Sequence, residues 1–273
     1  MAGKGSTVGF SQLYPKADLG NPHQFEQVVR NIHVVHGVIP EALRAEGKVW
    51  YDKVNEAVAK GVKGTGTSEW HGAGIVAAVS PSMDWEGRNI HALTELHGMK
   101  ARDWATIAQS AATGGHRTGE ARSVLQGLSI AGAADRDLMK AHRMMMGEDP
   151  DVVLNRRTAP KTNSFAHNIY RPDIPGHVTI DYRAHDIAIN KMYPTLYSGR
   201  GISSAGLPSG KPTRYEHFEN AYRAAAEGLG EEGHEYLPHQ LQAVNWVGGK
   251  HIETLGGTRQ KGVTRKGQAY VSL

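Results

Sequence analysis

Apolar residues recur at about every 3.6 positions through most of this chain, and the strict alternation of a half-buried strand is found only at Val178-Thr179-Ile180. That imbalance predicts an all-α fold. In the first organised stretch, Phe25, Val28, Val29, Ile32 and Val35 share one helix face after Pro22, and a second helix is expected from Pro40 to Val58, carrying Trp50 and Tyr51.

The glycine-rich run GVKGTGTS from Gly61 to Ser68 reads as a loop, with Ser68 as the N-cap of a helix starting near Trp70. Ile75 to Val79 is almost wholly apolar and ends at Ser80-Pro81, the pattern of a helix buried at the centre of a domain. A helix with Trp85, Ile90, Leu93 and Leu96 inward is expected after Asp84. Glycine and alanine dominate Ala111 to Ala134, and Asp135 to Met146 is helical again, with Met144, Met145 and Met146 filling core. Short helices are expected at Pro150 to Leu154, Pro160 to Tyr170 and Tyr182 to Met192, then a polar loop from Tyr197 to Thr213, then helices at Tyr215 to Leu229 and Pro238 to Val247. Three parts result: a flexible segment 1–20, a helical domain 21–247 and a basic tail 248–273.

With 273 residues the chain can bury a proper core. The absence of cysteine excludes disulfides and thiolate metal sites, and makes a reducing cytoplasm the expected setting. No stretch reaches the roughly 20 apolar residues of a membrane span, and the polar N-terminus lacks a signal peptide's apolar run, so no membrane partner is expected. Lys and Arg number 31 against 27 Asp and Glu, a net charge of +4. That is compatible with a polyanion partner, and the tail concentrates it: Lys250, Arg259, Lys261, Arg265 and Lys266 face the single acid Glu253. His33/His36 and His234/His239 lack carboxylates at metal-ligand spacing, so neither metal nor cofactor is expected. Lys63 to Thr67 lacks a P-loop's Gly-Lys-Ser/Thr ending and reads as a turn. Trp246 reads as a core anchor.

The most informative window is Asp149 to Ala188: a helix, a short turn, a helix opening with Pro160-Lys161-Thr162, a loop, and Val178-Thr179-Ile180-Asp181 entering another helix. From their residue types alone, Asp181 reads as an N-cap and Lys161 as a solvated lysine. Together, Pro160-Lys161-Thr162 and Ile180-Asp181-Tyr182-Arg183 resemble two motifs of the helix-hairpin-helix DNA glycosylases. Gly74 to Pro81, followed by Trp85 and Asn89, resembles that family's buried central helix. The resemblance covers about Trp70 to Ala188, in the manner of a divergent, phage-type member. The family's Leu-Pro-Gly-x-Gly hairpin is replaced by Leu154-Asn155-Arg156-Arg157-Thr158-Ala159, and there is no cysteine for an iron–sulfur loop.

The resemblance implies a helix-hairpin-helix glycosylase-like fold, a DNA partner and a flipped nucleotide, in the cytoplasm of a host cell if the protein is phage-encoded. Lys161 and Asp181 take the places of the family's active-site pair and are expected to approach one another. Cleaving an N-glycosidic bond develops positive charge on the sugar, which a carboxylate at Asp181 would stabilise, and a neutral amine at Lys161 would attack C1′. A helix start favours the anion at Asp181 and disfavours the cation at Lys161. Arg156, Arg157, Thr162, Lys250, Lys261 and Arg265 are the expected DNA contacts, and Tyr170, Tyr182 and Trp85 the expected pocket or wedge residues. Base hypermodification on the same scaffold, and DNA binding without chemistry, are the rival expectations.

Overall fold

A computed structural model of the protein describes residues 21–80, 89–114, 117–190 and 213–255, with residues 89–90 and 253–255 described by their backbone. The elements are α1 (Pro22–Val38), α2 (Glu41–Lys48), α3 (Trp50–Val62), α4 (Glu69–Val79), α5 (Asn89–Gly98), α6 (Ala101–Ala112) and α7 (Gly119–Val124). A 3₁₀ turn (Ser129–Gly132) precedes α8 (Asp135–Met145), α9 (Pro150–Val153), α10 (Pro160–Tyr170), α11 (Tyr182–Ala188), α12 (Arg214–Glu231) and α13 (Pro238–Leu255). There is no strand among the described residues, so the chain is all-α. None of these helices is long and apolar enough to cross a membrane.

The chain divides into two compact units, one of residues 1–51 and 174–273, the other of residues 52–173. In the second unit α4 is the hub, packed against α5, α8, α9 and α10. Its residues Gly72 to Val79 are all buried, because small and β-branched side chains let four neighbours close around one helix. At Gly74 a Cβ would stand 2.7 Å from the Met144 sulfur and 2.9 Å from Pro150, so α8 and α9 approach as closely as they do only over a glycine. Ser68 caps this helix, accepting the His71 N–H at 3.2 Å.

In the first unit α1, α11, α12 and α13 pack together, with Val28, Ile32, Ala184, Phe218, Tyr222 and Leu241 in one buried cluster, while α2 lies along α13. The helix expected from Pro40 to Val58 is two helices, broken at Val49. On α2, Gly47 packs directly onto the Val244 backbone, where any Cβ would overlap Val244 Cα. The segment Val178 to Ile180 joins no sheet, and all three of its residues are buried, where alternation suggests one buried face. Side chains of α12 take up three of its backbone groups: the Tyr215 hydroxyl donates to the Val178 carbonyl at 2.8 Å and accepts the Ile180 N–H at 3.0 Å, and Glu219 accepts the Val178 N–H at 3.2 Å.

Other boundaries differ from expectation. The helix after Asp181 ends at Ala188, with Asn190 in the left-handed region at φ 49°. The last helix continues past Val247 to Leu255, which puts Lys250 on a helix. Of the three methionines expected in the core only Met144 is buried, and Met146 is 75% exposed because it caps α8 just before the Gly147 turn. The segment 1–20, the loop residues 197–212, and Trp85, Lys261 and Arg265 lie outside the described residues.

Candidate functional site

The window from Asp149 to Tyr170 forms a helical hairpin within the second unit. Asp149 caps α9 by accepting the Asp151 N–H at 2.7 Å. The turn then does without the glycines of the pattern it resembles. Asn155 builds it instead: its side chain accepts the Arg157 N–H at 2.9 Å, and its carbonyl accepts the Thr158 and Ala159 N–H groups at 3.0 and 2.8 Å. Across the hairpin, Asp151 accepts from the Asn163 amide at 2.8 Å and stands 2.9 Å from His167 Nε2. Arg156 donates to the buried Ser164 hydroxyl at 2.9 Å, so its guanidinium braces the second helix, whereas Arg157 is exposed.

Pro160 opens α10 and Lys161 and Thr162 follow in its first turn, both half-buried. No side chain caps this helix. At its far end Tyr170 and His167 flank the Trp70 ring, at centroid distances of 5.3 and 4.7 Å. The amide of Asn55 donates to the Ile169 and Tyr170 carbonyls at 3.0 and 3.2 Å and so ties down the end of the helix.

Asp181 lies in the first unit, where it is the N-cap of α11. One carboxylate oxygen accepts the Ala184 N–H at 2.8 Å and the other accepts the Trp246 indole N–H at 3.0 Å. The Arg183 guanidinium covers the Tyr182 and Trp246 rings at 5.2 and 5.3 Å and donates to the Tyr182 hydroxyl at 3.1 Å. Lys250, one turn beyond Trp246 on α13, places its ammonium 5.8 Å from the Trp246 centroid, and Trp50 adds a second indole at 5.9 Å. Beneath them, burial and then the Asp181 charge push the Tyr222 phenol far above its ordinary range, so it stays protonated and donates to the Ala184 carbonyl at 3.1 Å. His185 and Asp186 form a fully buried pair at 2.9 Å on the same short helix.

This cluster unites a carboxylate of fixed orientation, flat aromatic faces and two cations. A carboxylate offers about four acceptor sites, of which these two hydrogen bonds use two. Such a group can stabilise a cation, stack a planar ring and hold an anion. Asp181, Tyr182 and Lys250 are brought together here; Arg183, the last residue of the Ile180 to Arg183 motif, joins them, as do Trp50 and Trp246, the latter half-buried rather than a core anchor. Lys161, Thr162, Tyr170, Arg156 and Arg157 belong to the other unit. Among the described residues no group of three or more His, Asp or Glu side chains is arranged to hold a metal ion.

No curated protein and no solved structure matches the chain. One family model does, over residues 16–252, a span that covers the second unit whole and includes all the residues just described. The chain therefore belongs to the family of unknown function DUF7178.

Proposed function

We propose that the protein acts on DNA at a nucleotide flipped out of the duplex, at its glycosidic bond, with Asp181 as the carboxylate and Lys161 as the amine. The observation that carries this reading is the setting of Asp181: a carboxylate locked in orientation by Ala184 and Trp246, beside the stacked Arg183, Tyr182 and Trp246. In this reading the C1′–N bond breaks with its electron pair leaving on the base, and the carboxylate offsets the positive charge left on the sugar. The Lys161 amine then bonds to C1′ and loses a proton, and the sugar-ring C1′–O4′ bond breaks, its electron pair and a proton going to O4′, to leave a Schiff base at C1′. Flipping costs a few kcal/mol, which stacking on an aromatic face offsets. Lys250, near Asp181, and Arg157, on the other unit, hold backbone phosphates. The family resemblance of Pro160-Lys161-Thr162 and Ile180-Asp181 supports the same assignment.

The test is borohydride trapping of the full chain on oligonucleotides carrying abasic and modified-base sites, with base release measured in parallel. A covalent adduct that disappears in Lys161→Ala, together with base release that depends on Asp181, is the expected result. A wild type that binds and flips DNA but neither releases a base nor traps would overturn glycosidic chemistry and leave base modification or recognition alone.

A further inference from the structure

Residues 52–173 also form an open cavity of about 630 Å³, in a different unit from Asp181. Its volume falls within the range of about 300–1,000 Å³ usual for small-ligand sites. Three arginines line it, Arg117, Arg122 and Arg136, with one acid, Asp135.

Arg117 builds the floor. Its side chain is 17% exposed, and its guanidinium donates to the Asp135 carboxylate and to the Ala131 and Ala133 carbonyls. The second oxygen of Asp135 accepts the Ser110 hydroxyl, and that hydroxyl accepts the Thr118 N–H at 3.0 Å. Asp135 is thus fully engaged, and its charge is offset by Arg117. A guanidinium has five N–H donors, so two of those on Arg117 remain beyond the three that hold the floor.

The rim is different. Arg122 on α7 and Arg136 on α8 are exposed. Arg136 stands 3.9 Å from one Asp137 oxygen, and the same carboxylate accepts from Lys140 at 2.8 Å through its other oxygen, so two cations share that single charge. Arg117 with Asp135 and Lys140 with Asp137 cancel in pairs. Two positive charges, Arg122 and Arg136, are left to face a concave wall whose geometry is fixed by its own hydrogen bonds.

We propose that this cavity binds the phosphate oxyanion of a nucleotide, gripped by Arg122 and Arg136 with Arg117 behind them. A free mononucleotide and a duplex backbone present the same chemistry, since both offer planar pairs of phosphate oxygens to a guanidinium fork. The site adds a second anion-holding element to the protein and does not depend on chemistry at Asp181.

The experiment titrates the full chain, wild type and the double variant Arg122→Gln/Arg136→Gln, with inorganic phosphate, deoxyadenosine 5′-monophosphate and duplex DNA. Both side chains are exposed, so the double variant keeps its fold, and circular dichroism checks this. The expected result is a loss of tenfold or more in affinity for at least one of the three ligands, with charge-retaining Arg122→Lys/Arg136→Lys recovering part of it. If the backbone of the duplex is the source, the logarithmic salt slope for duplex binding falls by about two in the Gln variant. If a free nucleotide is the source, that slope is unchanged while the monophosphate loses affinity. Equal affinity of wild type and Gln variant for all three ligands, or no binding of any of them by the wild type, overturns the proposal. Base release that depends on Asp181 is read separately, at saturating duplex, and stays unaffected by the Gln variant there.

Discussion

The carboxylate of Asp181 accepts the indole N–H of Trp246 at 3.0 Å, across 65 residues of sequence, while its other oxygen caps α11. This double use changes what a substitution at Asp181 reports. Asparagine caps helices as well as aspartate does, but it has one acceptor oxygen, so an asparagine that keeps the cap turns its amide N–H₂ against the indole N–H. Asp181→Asn therefore combines loss of charge with a donor facing a donor.

The clean comparison is Asp181→Asn in a Trp246→Phe background. Trp246→Phe alone removes a hydrogen bond to a charged group and should cost about 1.5–3 kcal/mol of stability. Adding Asp181→Asn to it should cost little more, because the cap survives. Base release, if Asp181 stabilises a charged sugar, should still fall by orders of magnitude between those two backgrounds. Equal activity in Trp246→Phe with and without Asp181→Asn would restrict the aspartate to its cap.

Gly47 offers a test of the packing in the first unit. Because α2 lies with this residue directly on the Val244 backbone, Gly47→Ala has nowhere to place its Cβ. Overpacking of that kind costs about 1–3 kcal/mol or more, even though alanine is the better helix former by about 1 kcal/mol. A melting temperature raised by Gly47→Ala would show that α2 and α13 are not in such close contact.

The existence of most helices was legible locally. The N-caps at Ser68 and Asp181 and the buried run of α4 are written in consecutive residues, where capping and periodicity act. What was not legible is non-local. The break at Val49 separates α3 from α2, whose close seat on α13 the local pattern from Pro40 to Val58 does not show. Alternation at Val178 to Ile180 marked a non-helical segment, but it is buried at every residue, and nothing in it could show that a tyrosine and a glutamate of α12 take the place of a neighbouring strand. In the candidate site, Asp181 and Lys250 stood out by type and charge. The stacking of Arg183 on Trp246 did not, since it depends on the distance between α11 and α13 rather than on spacing along the chain.

A pH dependence follows from His36. Burial first, and then the charges of Arg44, His234 and His33, lower its pKa from 6.5 to about 4, and its Nε2 stands 3.2 Å from the Tyr236 hydroxyl. Between those two values the unfolded chain binds a proton that the folded chain refuses, so stability rises with pH in that window. From pH 7 down, His36 should cost nothing until about pH 6.5, then up to about 3 kcal/mol by pH 4, with no further change below. In His36→Gln, whose amide keeps a polar atom near Tyr236, the decline in melting temperature between pH 6.5 and 4 should be shallower than in the wild type. Parallel curves would assign the acid sensitivity to other groups.

Arg156 and Arg157 adjoin in sequence but are predicted to separate in experiment. The guanidinium of Arg156 is half-buried and donates to Ser164, which is fully buried on α10, so its loss removes a charge-assisted hydrogen bond from the hairpin and loosens it. Arg156→Ala should lower the melting temperature by an amount equivalent to about 1–3 kcal/mol. Asp151→Ala, which removes the brace to Asn163 and His167 on the same hairpin, should act in the same direction. Arg157 is exposed, and its backbone N–H, not its side chain, serves the Asn155 turn. Arg157→Ala should leave the melting temperature within about 0.5 kcal/mol of wild type. If Arg157 neutralises a phosphate, the same variant should reduce the slope of log affinity against log salt by about 0.9 on duplex DNA. A salt slope reduced by Arg156→Ala at unchanged stability, and untouched by Arg157→Ala, would reverse the two assignments and place the phosphate contact on the inner arginine.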